Sequence, residues 1–67
     1  MTFKELQDLY YDIKFSGKYE FTEKEVSGHL DQITYLYVIE NGEPAYAIVR
    51  QESEDGTDYW KEEICSK

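Results

Sequence analysis

The sequence predicts a small α+β domain: an N-terminal helix packed on a three-stranded antiparallel β-meander, with a second short helix between them. Three observations predict it. Apolar residues recur at helical spacing over the first sixteen positions, and from Ile33 onward the period changes to two. The dipeptides Asn41-Gly42 and Asp55-Gly56 then divide the second half into three β-rich runs. Residues 1–67 read as one unit, since a chain this short buries only about 60% of its unfolded surface and supports a single core.

The first helix is expected over 3–16. In the opening stretch MTFKEL, Thr2 can accept from the N–H of Glu5 while the Glu5 side chain reaches back to the N–H of Thr2, a capping box. Phe3, Leu6, Leu9, Tyr10 and Ile13 form one apolar stripe. Gly17 suits the position just past the helix, and Lys14 and Lys18 suit the negative end of its dipole.

Twenty residues on, FTEKEV repeats the pattern, with Thr22 as cap, Glu25 at the third position and Val26, His29, Leu30 and Ile33 keeping the period. This spacing predicts a short helix over 23–31. Gly28 in its middle costs about 1 kcal/mol relative to Ala, so an extended segment over 18–26 is the competing reading. Both openings are local solutions for orphan N–H groups and argue structure rather than chemistry.

Strands are expected over about 33–40, 44–53 and 57–64, joined by two-residue type I′ turns at the two Gly-containing dipeptides. Taken literally, the turns set Glu40 against Glu43, Val38 against Ala45, Leu36 against Ala47, and Gln51 against Trp60. Pro44 then opposes Ile39, where a missing N–H costs nothing. This register gives one face of Leu36, Val38, Ala45, Ala47, Val49, Trp60 and Ile64. The other carries Tyr35, Tyr37, Ile39, Tyr46, Ile48 and Tyr59, edged by Arg50, Glu52, Lys61 and Glu63. The first face, small in its middle, should receive the helix, with Phe3, Leu6, Leu9 and Ile13 against Trp60 and Leu36.

Composition narrows function by exclusion. Fifteen acidic residues against seven basic ones give a net charge of −8 and a pI near 4.4. Direct binding to nucleic-acid phosphates or to an anionic membrane is therefore not expected. One cysteine, Cys65, and one histidine, His29, exclude an internal disulfide and a four-ligand Cys/His zinc site within the chain. The absence of an export signal or long apolar run in the sequence, with so few cysteines, favours a cytoplasmic setting. No catalytic residue, metal site or cofactor site is expected. His29 lacks a fixed partner, and the carboxylate-rich run Gln51–Asp58 lacks the spacing of a calcium loop.

The expected role is non-enzymatic. Tyr35, Tyr37, Tyr46 and Tyr59 are candidate partner-binding residues, because tyrosine is enriched in protein interfaces. Glu5, Asp8 and Asp12 on the helix, with Glu52, Glu54, Asp55 and Asp58 on the second hairpin, are candidate phosphate surrogates. A small scaffold with spread carboxylates resembles, as a class, the DNA-mimic inhibitors made by phages. That likeness implies an inhibitor occluding the basic surface of a larger, nucleic-acid-binding protein. The alternative is a structural or adaptor module that forms a homodimer through the Tyr-rich face.

Overall fold

The computed structural model describes residues 1–64, which form one helix and one four-stranded antiparallel sheet. In chain order these are α1 (Phe3–Phe15), β1 (Glu20–Ser27), β2 (Asp31–Glu40), β3 (Glu43–Ser53) and β4 (Gly56–Glu63). The strands lie side by side in the same order, β1-β2-β3-β4. Cys65 lies outside the described residues.

α1 starts as its sequence dictates. The Thr2 hydroxyl accepts from the Glu5 N–H at 3.2 Å, and Glu5 Oε1 accepts from the Thr2 N–H at 2.9 Å, completing the capping box. Beyond Ser16 the chain turns at Gly17, with φ +79°. Leu6, Tyr10 and Ile13 are buried, whereas Phe3 stays about half exposed at the rim. The helix crosses the strands: the Phe3 ring meets Tyr59 on β4 edge-on at 5.3 Å, and Lys14 reaches Glu23 on β1 at 3.3 Å.

The expected second helix is a strand instead, so the sheet has four strands rather than three. Glu20–Ser27 pairs with β2 along its whole length, from Glu20 opposite Ile39 to Ser27 opposite Gln32. Thr22 thus faces Tyr37 and caps nothing. Pairing wins because it satisfies the outer N–H and C=O groups of β2 and spares the cost of Gly28 inside a helix. The edge remains charged through Glu20, Glu23, Lys24 and Glu25, which blunts further pairing.

At the first hairpin the expected turn forms. Asn41 and Gly42 both have positive φ, 56° and 81°, and Glu40 faces Glu43 while Ile39 faces Pro44. One step further the ladder slips. Val38 faces Tyr46, which leaves Ala45 without a partner on β2. This is a bulge beside a proline that could not donate to the ladder in any case. The Ala45 carbonyl accepts instead from the Ile64 N–H, at 3.3 Å.

Because side chains alternate, the extra residue exchanges the faces of everything after it. Leu36 now faces Ile48 and Tyr37 faces Ala47, so Tyr46, Ile48 and Tyr59 lie under the helix while Ala47, Val49 and Trp60 lie on the far side. The expected docking of α1 on Trp60 is therefore corrected: its strand partner is Tyr59. The physical reason is packing. The bulged register places Tyr46, Ile48 and Tyr59 under the helix in place of Ala45, Ala47, Val49 and Trp60. Ile48 and Tyr59 then fill the core beneath Leu6, Tyr10 and Ile13, and the Tyr59 hydroxyl meets Arg50 and Tyr11.

The second hairpin also departs from expectation. Ser53 faces Gly56 around Glu54 and Asp55, and only Gly56, at φ +129°, takes a positive φ. Asp55-Gly56 is therefore not a type I′ turn. The turn sits one residue earlier, the pairing moves by two, and Gln51 faces Asp58 rather than Trp60. A shift of two leaves the faces unchanged.

Under the helix, Leu6, Tyr10, Ile13, Leu36, Val38, Ile48 and Tyr59 form one core, flanked by Leu9, Tyr19, Phe21 and Tyr46. The Tyr59 hydroxyl accepts from Arg50 Nε at 3.2 Å and donates to the Tyr11 hydroxyl at 3.4 Å, tying β3, β4 and α1 together. Burial pushes the Tyr10 hydroxyl above its ordinary pKa of 10.0, outweighing the opposing pull of Lys14 and Arg50.

Three outcomes follow from this packing. Ile13, fully buried, should cost about 2–5 kcal/mol on truncation to Ala, whereas Val26→Ala on the edge strand should stay within about 0.5 kcal/mol; urea unfolding checks both. Deletion of Ala45 removes the residue without a β2 partner and, with it, one hydrogen bond from Ile64, so the shortened chain should unfold cooperatively with tryptophan emission like the parent's. Loss of cooperativity would show that the bulge itself is required. Finally, a raised Tyr10 pKa means the folded state holds its proton longer than the unfolded chain. Its contribution is complete below pH 10 and is lost as pH rises through the folded value. The fall in denaturation midpoint above pH 10 should be shallower in Tyr10→Phe.

Candidate functional site

The helix covers one side of the sheet and leaves the other open. Across the open side run four rows set by the registers. Glu20, Ile39 and Pro44 make the first, Thr22, Tyr37, Ala47 and Glu62 the second, Lys24, Tyr35, Val49 and Trp60 the third, and Val26, Ile33, Gln51 and Asp58 the fourth. β2 supplies Tyr35 and Tyr37, whose rings stack at 5.8 Å with an 8° interplanar angle. Ala47 and Val49 are fully buried although no helix lies above them, so neighbouring side chains roof them over. Trp60, half-buried, donates from Nε1 to Glu62 Oε2 at 3.0 Å. The result is an apolar and aromatic centre flanked by Lys24 and Glu20 on one edge strand and by Asp58 and Glu62 on the other.

The four candidate tyrosines do not share one face. Tyr35 and Tyr37 lie on the open side, while Tyr46 and Tyr59 lie under or beside the helix. Tyr59 is only 7% exposed, set between the rings of Phe3 and Tyr10. Tyr46 is half-buried with the Lys61 ammonium 4.7 Å above its ring, and burial raises its hydroxyl pKa. The Tyr11 hydroxyl is also raised, chiefly by its hydrogen bond with Tyr59. Lys14 is raised too: burial opposes its charge, but Tyr10 and Glu23 outweigh that. These shifts stabilise the ordinary protonation states and set up no proton transfer near neutral pH.

The candidate carboxylates are spread rather than converged. Glu5, Asp8 and Asp12 lie along one flank of α1, Glu5 engaged in the capping box and Asp8 paired with Lys4 at 3.5 Å. Glu52, Glu54 and Asp55 gather at the tip of the β3–β4 hairpin, where Glu52 meets Arg50 at 3.3 Å. Asp58 belongs to the open face. Beside the hairpin tip the β1–β2 loop leaves a shallow depression of about 480 Å³, lined by residues that include His29, Asp31, Glu52 and Glu54. Asp31 is engaged there, its Oδ2 accepting from Gln51 Nε2 at 2.7 Å and its backbone carbonyl from the Gly28 N–H at 2.7 Å. Among the described residues, no group of three or more His, Cys, Asp or Glu side chains is placed to hold a metal ion. No described helix is long and apolar enough to cross a membrane.

Trp60, Lys24, Glu62, Ile33 and Val26 were missed as surface residues. Lys24 and Val26 fall in the segment read as a helix, whose period also took in Ile33, and only pairing with β2 puts them on the sheet. For Trp60 and Glu62 the alternating pattern of β4 reads either way, and the signal is Pro44, which marks a site where a bulge is tolerated.

Residues 2–63 match the model of the phage T4 Cef protein family. A curated relative, "Protein cef" of Enterobacteria phage T4, is 34% identical over 58 residues, covering 82% of this chain and 82% of the relative. No solved structure matches. The match spans nearly all of the described fold, from the helix cap to the end of β4, and on that ground the chain belongs to the phage T4 Cef protein family.

Proposed function

We propose that this small phage protein is a non-enzymatic inhibitor that occludes a basic, nucleic-acid-binding surface of a larger protein. The observation that carries the reading is the distribution of its uncompensated carboxylates. Of fifteen acidic side chains, four (Asp8, Glu23, Glu52 and Glu63) are ion-paired among the described residues. Six of the others stand at the two ends of the sheet. Glu20, Glu40 and Glu43 stand at one end; Asp31, Glu54 and Asp55 stand at the other, about 30 Å away along β2. Glu5 and Asp12 add to the charge from the helix.

Charge spread on this scale sets up a long-range negative field that steers encounter with a cationic surface. The scaffold is rigid enough to present it, because each carboxylate sits on a strand, a tight turn or a capped helix. The same acidity discourages the chain from binding nucleic acid itself. On this reading Glu5, Asp8, Asp12, Glu52, Glu54 and Asp55 contact the partner as substitutes for phosphates.

The test uses the immobilised chain to capture proteins from lysate of the native host. A captured protein should lose its bound nucleic acid as the phage protein is added, and its capture should weaken steeply with salt. Neutralising the hairpin tip with Glu52→Gln, Glu54→Gln and Asp55→Asn removes three exposed charges. At about 0.2–1 kcal/mol for each pair, affinity should fall roughly tenfold. Binding that ignores both salt and this triple variant would overturn the proposal.

A further inference from the structure

We infer that the open sheet face is built to pack against a second copy of this chain. The argument is charge symmetry. Along the row Lys24, Tyr35, Val49, Trp60, the one cation of the face stands on edge strand β1. The carboxylates of Asp58 and Glu62 stand on the opposite edge strand β4, two residues to either side of Trp60. Two copies stacked face to face about a two-fold axis parallel to the strands exchange β1 and β4. That rotation sets Lys24 of each copy over Trp60 of the other, with Asp58 and Glu62 about 6.6 Å away along the strand on either side. An ammonium over an indole flanked by two carboxylates is favourable twice, once for each copy.

The centre of the face suits the same arrangement. The stacked Tyr35 and Tyr37 rings, the half-buried Ile33 and Ile39, and the roofed Ala47 and Val49 leave a flat apolar surface, of the kind that packs sheet on sheet about 10 Å apart. The chain measures 37 × 23 × 20 Å, so a covered sheet face offers on the order of 800 Å² per copy, the size of a standard stable interface. The net charge of −8 opposes self-association in general, but its main concentrations do not lie in this face. Most stand at the two ends of the sheet and on the helix, outside the stacked faces. Glu20 lies on the face beside Ile39, at its end, where the two-fold keeps it about 13 Å along the strands from the Lys24–Trp60 row. The inference is therefore independent of the inhibitor reading, whose residues stay exposed in the dimer.

Sedimentation equilibrium of the full chain over about 1–500 μM reads the outcome directly. The expected mass is twice the 8.0 kDa of one chain. Lys24→Glu should raise the dimer dissociation constant at least roughly tenfold, as should Asp58→Lys combined with Glu62→Lys. Combining all three changes should restore dimerisation to within a few-fold of the parent, which a merely misfolded variant could not do. Circular dichroism confirms that each variant keeps its sheet. A parent chain that stays monomeric throughout overturns the proposal, whatever other protein then occupies the face. So does a dimer indifferent to both charge reversals, or one that the combined variant fails to restore.

Discussion

Side chains on a strand alternate between two faces, so one unpaired residue exchanges the surroundings of every residue after it. Ala45 is that residue. Upstream of it, β1 and β2 present Phe21, Leu36 and Val38 to the helix, as simple alternation from the turn would have them. Downstream, the slip moves Ile48 and Tyr59 inward and sends Trp60 outward. The helix core, the open aromatic face and the charge pattern on that face all inherit this one irregularity. Without it, the helix would meet Ala47, Val49 and Trp60, and Tyr46, Ile48 and Tyr59 would lie on the open side.

Local features with short-range causes were legible in the sequence. The capping box at Thr2 and Glu5, the inward stripe of Leu6, Tyr10 and Ile13, and the Asn41-Gly42 turn each depend on residues within a few positions of one another. What escaped depended on distant partners. FTEKEV has equally good local reasons to begin a helix, and only the waiting edge of β2 makes it a strand. The slip at Ala45 is decided by which side chains of three strands meet the helix, which no window along the chain contains. In the candidate site, the grouping of Tyr35 with Tyr37 was legible because they share a strand. Their expected companions Tyr46 and Tyr59 were not, because placing them required the register between strands.

The acidity serves more than one physical end. On β1 and β4, the two strands with a free edge, Glu20, Glu23, Glu25, Asp58, Glu62 and Glu63 line the places where another strand could otherwise add. On the turns and the helix flank no such protection is needed, and the charge there is available for recognition. Membership of the phage T4 Cef family places the chain among small phage proteins. Its size fits a scaffold that works by presenting a surface rather than by enclosing a cleft.

The meeting of Phe3 with Tyr59 links the first turn of the helix to the last strand of the sheet. Tyr10 reaches the same ring. The chain therefore has no self-sufficient front half: until β4 has been made, the helix lacks one wall of its seat and the Tyr11 hydroxyl has no Tyr59 donor. Contacts of such long separation make the closing step slow relative to local turn and helix formation. The seat of the helix is therefore complete only when β4 has joined the sheet, so the two ends of the fold close together rather than hairpin by hairpin.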